Sequence, residues 1–141
     1  MSRTTALPLR APEAPALARG PRILVIEDSK SVRELLRLHL SNAGYRVVVA
    51  EDAIAGGNAL FEEFPDLIIT DINMPYMSGV EFIAALRADR TIPEIPVVFL
   101  SSQDDADQHA RTLHAVAHLP KPISLERLLD IVALHAGTGL A

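Results

Sequence analysis

The stretch Ile23-Leu24-Val25-Ile26-Glu27-Asp28 decides the fold. Four apolar residues in a row, three of them β-branched, read as a short strand buried on both faces, and the run stops on two carboxylates. The same kind of run returns as Val47-Val48-Val49, Leu67-Ile68-Ile69 and Val97-Val98-Phe99-Leu100, with a weaker fifth from Val116 to Leu119. Between the runs lie helical patterns. Ser29 to Asn42 carries Val32, Leu35, Leu36 and Leu40 at helical spacing, and Gly44 stops it. Glu51 to Phe64 predicts a second helix, weakened by Gly56-Gly57 and ended by Pro65. Ser78-Gly79 opens a third, with Phe82, Ile83 and Leu86 apolar. A short fourth is predicted over Asp104 to Leu113. Ser124 caps a fifth, whose inward stripe is read as Leu125, Leu128, Leu129 and Val132, with Ile131 and Leu134 outside it.

Buried strands alternating with helices predict an α/β fold with helices on both faces of a parallel sheet. Right-handed crossovers leave few arrangements. A doubly wound five-stranded sheet in the order 2-1-3-4-5, flavodoxin-like, fits best and puts any site at the carboxyl ends of strands 1 and 3.

Composition narrows the function. The 141 residues hold 13 basic and 18 acidic side chains, net −5, and 49% are hydrophobic. One domain with its own core is expected at this length. The absence of cysteine excludes disulfides, thiolate metal sites and a Cys nucleophile, and gives secretion no support. The acidic balance speaks against direct nucleic-acid binding. No apolar run approaches a membrane span, and the N-terminus lacks the apolar region of a signal peptide, so a cytoplasmic protein is expected. Residues 1–21 stand apart, with four prolines, five alanines, three arginines and one acid, and no hydrophobic period. They read as a disordered tail, a plain spacer rather than a binding arm. Residues 22–136 are expected to make the domain and 137–141 a short C-terminal tail, so no output domain is expected after the last helix.

The strand ends carry the chemistry. Strand 1 ends in Glu27-Asp28, strand 3 in Thr70-Asp71, strand 4 in Ser101-Ser102, and strand 5 in Pro120-Lys121-Pro122. Each residue has a plain reading: a cap for Asp28, a turn for Asp71, a strand-end hydroxyl for Ser101, a loop charge for Lys121. Together, in a parallel sheet, they bring three carboxylates, a hydroxyl and an ammonium to one edge. Three carboxylates side by side repel unless a cation neutralises them. Oxygen-only ligands point to a hard cation, Mg²⁺ before Ca²⁺. Lysine is scarce, Lys30 and Lys121 against eleven arginines, and Lys121 between two prolines suits a fixed point charge.

These residues resemble the receiver domains of two-component response regulators, similar to the stand-alone chemotaxis type. The matching segments are Ile23 to Asp28, Asp71-Ile72-Asn73-Met74-Pro75 with Ser78-Gly79, Val97 to Ser102, and Leu119-Pro120-Lys121-Pro122, so the likeness spans about residues 22–136. The resemblance implies that Asp71 is the phosphoacceptor and that Mg²⁺ is held by Asp28 and Asp71, with Glu27 beside them and the Asn73 carbonyl completing the set. It further implies Ser101 as the switch hydroxyl, Lys121 as the lysine pairing with the phosphoryl group, and a cis bond before Pro122. The implied activity is a phosphorylation-switched receiver that phosphorylates and dephosphorylates itself rather than a turnover enzyme. Its expected partners are a sensor histidine kinase or phosphotransfer protein and a downstream protein target. The chain itself is expected as a monomer or weak homodimer. The output face is expected on the fourth helix, fifth strand and fifth helix. Departures fall on that face: His118 stands where the family has Tyr or Phe, His114 where Gly is frequent, and the stretch from Ser101 to Lys121 is about two residues short. His118 reads as half-buried packing rather than a proton switch.

Other readings fit less well. A haloacid-dehalogenase-type phosphatase wants a second Asp where Asn73 stands. A flavodoxin wants a Ser/Thr-rich phosphate loop where Glu27-Asp28 would repel phosphate. A degenerate receiver that binds a partner without phosphorylation ranks second.

Overall fold

The computed structural model describes residues 20–102 and 113–137. Its elements run β1 (Arg22–Ile26), α1 (Lys30–Asn42), β2 (Arg46–Ala50), α2 (Ala53–Glu62), β3 (Leu67–Asp71), α3 (Gly79–Ala88), β4 (Val97–Ser101), β5 (Ala117–Pro120) and α4 (Leu125–Ala136). All paired strands are parallel and lie in the order β2-β1-β3-β4-β5, the expected doubly wound sheet. The predicted helix over 104–113 lies outside the described residues except for Leu113, as do residues 1–19 and 138–141.

Pleating splits each apolar run between two cores, because successive side chains point to opposite faces. Leu24, Ile26, Ile68 and Phe99 face Leu60, Phe82 and Ile83 on the α2–α3 side. Ile23, Val25, Ile69 and Leu100 face Leu36, Leu40, Leu128 and Val132 on the α1–α4 side. The three central strands are fully buried. The expectation of burial on both faces fails for the edges: Val47 to Val49 on β2 and Ala117 and His118 on β5 are half-buried, since each edge strand has one strand neighbour instead of two.

Caps set the helix limits. The side chains of Ser29, Asp52, Ser78 and Ser124 each accept a backbone N–H of the first turn. Asp52 as cap starts α2 two residues later than predicted. Glu63 is already extended, so the helix ends before Phe64, whose backbone Pro65 keeps from helical geometry. On α4, Leu128 and Val132 are buried while Leu125, Leu129 and Ile131 pack half-buried against the same core. Ile131 therefore belongs to the inward side, and Leu134 alone of the proposed outer pair is strongly exposed.

A buried arginine ties the lower end of α2 to β1. Arg22 donates from Nη2 to Ala59 O at 3.0 Å and from Nε to Glu63 O at 3.1 Å, and its own N–H reaches Asp66 Oδ2 at 2.8 Å. The guanidinium thus adds a second donor to Ala59 O, which also accepts the Glu63 N–H at 3.4 Å, and caps the Glu63 carbonyl past the helix end. Hydrogen bonds to a charged group contribute about 1.5–3 kcal/mol. Arg22→Ala should lower unfolding stability by about 2–3 kcal/mol, read as a drop in the urea midpoint at constant m. An unchanged midpoint would show that water replaces the arginine without loss.

Candidate functional site

The sheet register brings the strand ends level. Ile26 pairs with Ala50 and Thr70, Asp71 with Leu100, and Ser101 with Pro120. The ladder then runs one residue further, through Glu27 N–H to Ala50 O, Ile72 N–H to Leu100 O, and Lys121 N–H to Ser101 O. Glu27, Asp71, Ser101 and Lys121 are therefore placed by continuous main-chain bonding rather than by loose loops.

Glu27, Asp71 and Ser101 are buried, whereas Asp28 is exposed. Carboxylate oxygens of Glu27, Asp28 and Asp71 lie within 4.8 Å of one another. Lys121 Nζ reaches between the two buried acids, 2.9 Å from Asp71 Oδ2 and 3.0 Å from Glu27 Oε1. The bond to Asp71 is well aligned, while the approach to Glu27 is a charge contact at a poorer angle. The second oxygen of Glu27 accepts the Ser29 N–H at 3.0 Å, and Asp71 Oδ1 accepts the Asn73 N–H at 3.3 Å. The Lys121–Pro122 bond is cis, as the resemblance implied.

Burial pushes the Glu27 carboxyl above the usual glutamate range, and the nearby Asp71 charge adds to this. The Ser29 N–H and Lys121 oppose it without overcoming it. Burial alone would lower Lys121, but its bonds to Asp71 and Glu27 outweigh it and hold the ammonium above its ordinary value. The protonated form of Glu27 thus favours the fold below the ordinary glutamate range, and that contribution is lost as pH rises through its raised pKa. Ionising Glu27 in its buried place costs the fold stability, and a hard cation among the three carboxylates would offset that cost. The donor set suits Mg²⁺: all oxygen, few enough carboxylates to leave room for water and phosphoryl oxygens.

Two positioning groups escaped the sequence reading. Arg33 donates from Nη1 to Glu27 O at 2.8 Å and to Asp28 O at 3.3 Å, clamping the backbone that carries both acids. Its place on the first turns of α1 is the available signal, because long helical side chains lean back toward the N-terminus. The sequence marks Gly79 as a helix opener and as part of the Ser78-Gly79 match, without showing why a glycine is needed there. A Cβ there would sit 2.1 Å from Asp71 O and 3.0 Å from Asp71 C. Its N–H bonds Ile72 O at 2.8 Å, so α3 begins pressed against the residue next to Asp71. The capping box of Ser78 and Glu81, also unread in the sequence, fixes that start.

Fold and site together define an acidic cluster with one lysine at the topological switch point of a doubly wound domain. The family model for the response regulator receiver domain matches residues 23–133. The chain belongs to this family. It is 37% identical over 110 residues to response regulator MprA of Mycobacterium tuberculosis, covering 77% of this chain and 47% of that protein. The chain thus spans about half the length of such curated relatives. Among solved structures it resembles chemotaxis response regulator CheY4 of Vibrio cholerae, with TM-score 0.75 and 30% identity, covering 82% of this chain and 98% of that one. A response regulator receiver protein from Pseudomonas putida gives TM-score 0.73 and 28% identity, covering 82% and 97%. Receiver domains serve phosphorylation-dependent signalling, with histidine kinases or phosphotransfer proteins as donors and proteins as targets. No helix among the described residues is long and apolar enough to cross a membrane.

Gly79→Ala should cost about 1–3 kcal/mol, because the intruding methyl meets backbone that cannot step aside. Urea unfolding checks this, and amide shifts should be largest from Asp71 to Asn73. Wild-type stability with unshifted Asp71 and Ile72 would show that the close approach constrains nothing.

Proposed function

We propose that Asp71 accepts a phosphoryl group and that residues 22–136 form the receiver which reads it, with 1–21 and 137–141 outside. The observation that carries this is the clustering of three carboxylates within 4.8 Å of one another, two of them paired with the Lys121 ammonium. An Asp71 carboxylate oxygen attacks phosphorus as the bond to the donor's nitrogen or oxygen breaks. The leaving group departs with that electron pair, and Asp71 becomes an acyl phosphate. Water later attacks phosphorus and returns the carboxylate with inorganic phosphate. The protein's task is alignment and charge neutralisation. Glu27, Asp28, Asp71 and the Asn73 carbonyl hold Mg²⁺, which when bound neutralises charge on the phosphoryl oxygens.

Lys121 leaves its place beside Asp71 Oδ2 to meet the incoming oxygens, and the buried Ser101 hydroxyl turns to them as the switch. Both moves load the loops after β4 and β5, so the output runs over residues 104–113, β5 and α4. His118, half-buried and paired in register with Phe99, fills less space than an aromatic ring would. The resulting change is smaller or more mobile than in relatives with an aromatic residue there. The donor is a sensor histidine kinase or phosphotransfer protein, the target is another protein, and the setting is cytoplasmic.

Acetyl phosphate with Mg²⁺ should add one phosphoryl group by intact mass, lost in Asp71→Asn and in EDTA. An unchanged mass across several small-molecule donors, with the protein folded, would overturn the proposal in favour of a phosphorylation-independent binding module.

A further inference from the structure

The α2–α3 side carries a surface that phosphoryl transfer does not use. At the upper end of α2 a cavity of about 340 Å³ opens to solvent, lined by Ala53, Ile54, Tyr76, Met77, Phe82 and Ala85 among others. Ile54 and Phe61 are each 63% exposed and Tyr76 is 82% exposed. Ile54 and Phe61 are seven residues apart on one helix and so share a face. Phe61 meets Phe64 edge to face with ring centroids 6.4 Å apart. An apolar stripe, interrupted by Gly57 and the exposed Asn58, therefore links the Phe pair at the lower end of α2 to the cavity at its upper end.

The N-terminal segment leaves the domain at the lower end of that stripe. Arg46 donates from Nε to Gly20 O at 3.0 Å, and its Nη1 lies 3.1 Å from Glu63, the residue that ends α2. Residues 1–19, which precede Gly20, contain Pro8, Pro12 and Pro15, the last two forming Pro12-Glu13-Ala14-Pro15. Proline-rich segments favour an extended helix that loses little entropy on binding, and they dock in aromatic-lined grooves.

We propose that residues 1–19 dock on this stripe within the same chain, with Pro12 to Pro15 over the cavity. Length and charge both support the occupant. The ten residues of α2 span about 15 Å at 1.5 Å per residue. A proline-rich segment advances about 3.1 Å per residue, so Pro15 and Pro12 stand about 15 and 25 Å from Gly20. Glu51, Glu62 and Glu81 lie exposed on this side, while residues 1–19 contain three arginines and one glutamate. Tyr76 and Met77 belong to the loop that follows Asp71, so the docked segment covers a wall of the cavity that is continuous with the phosphoacceptor loop. This inference does not depend on phosphorylation of Asp71.

The chain has no cysteine, which makes one introduced thiol a clean handle. A nitroxide on Ala11→Cys in the full chain should broaden the amides of residues 53–63 and 76–86, with recovery after reduction of the label. A label on Ser2→Cys guards against disturbance at position 11 and should broaden the same surface more weakly. Ile54→Glu combined with Phe61→Glu changes two exposed positions, so the amides of β1 and β3 should stay in place while the broadening disappears. Broadening that is absent with both labels, centred on α1 or α4, or retained in the double variant would overturn the proposal. Broadening transferred to an isotope-labelled, nitroxide-free copy in a mixed sample would overturn it too, by making the occupant a second copy.

Discussion

Everything at the site depends on one electrostatic constraint: two buried carboxylates, Glu27 and Asp71, share the single ammonium of Lys121. Buried like charges raise one another's cost of ionisation, and burial adds to it. A protein can hold such a group only if the scaffold over-determines the positions. Here the scaffold is the sheet itself, whose main-chain ladder continues past the strand ends through Glu27, Ile72 and Lys121. Arg33 fixes the carbonyls behind the first acids, and Gly79 lets α3 close on the backbone of the third. The pocket is thereby fixed in position and strained in charge, as the proposed binding of a cation and a phosphoryl group requires.

Much of the fold was legible because its signals are local. Four-residue apolar runs of Val, Ile and Leu admit a buried strand, and Ser29, Ser78 and Ser124 mark helix starts by hydrogen bonds that span three residues. The site was legible because a parallel sheet puts every strand's carboxyl end on one edge, so reading the next residue after each run names its occupants. Non-local features were harder to read. Whether Val47 to Val49 are covered depends on how many strands flank β2, which no local pattern states. Ile131 counts as inward only once the rotation of α4 against the sheet is known. Gly79 reveals its role only when the closeness of Asp71 O is seen, and Arg33 only when its guanidinium is found behind Glu27.

The two sides of the sheet divide the work. The α1–α4 core is closed by Leu36, Leu40, Leu128 and Val132, with Leu35, Leu38 and Leu134 exposed outside it, and the α2–α3 side leaves Ile54, Phe61 and Tyr76 in solvent. Tyr76 sits at φ 73°, a left-handed backbone that holds the loop after Asp71 in one shape. That loop forms both a wall of the apolar cavity and the approach to the carboxylates. Cavity, loop and acidic pocket are thus physically adjacent along α2 and β3.

The central claim is that the carboxylate cluster is built around a cation. Its most direct test is the melting temperature of the wild type and Asp28→Asn across a Mg²⁺ series. Binding to the folded state alone stabilises it by about 2.7 kcal/mol at a hundredfold excess over Kd. Asp28 is exposed, so its loss leaves the core intact. The account predicts a Mg²⁺-dependent rise in the wild type that shrinks markedly in the variant. Equal rises in both proteins, or none in either, would contradict it.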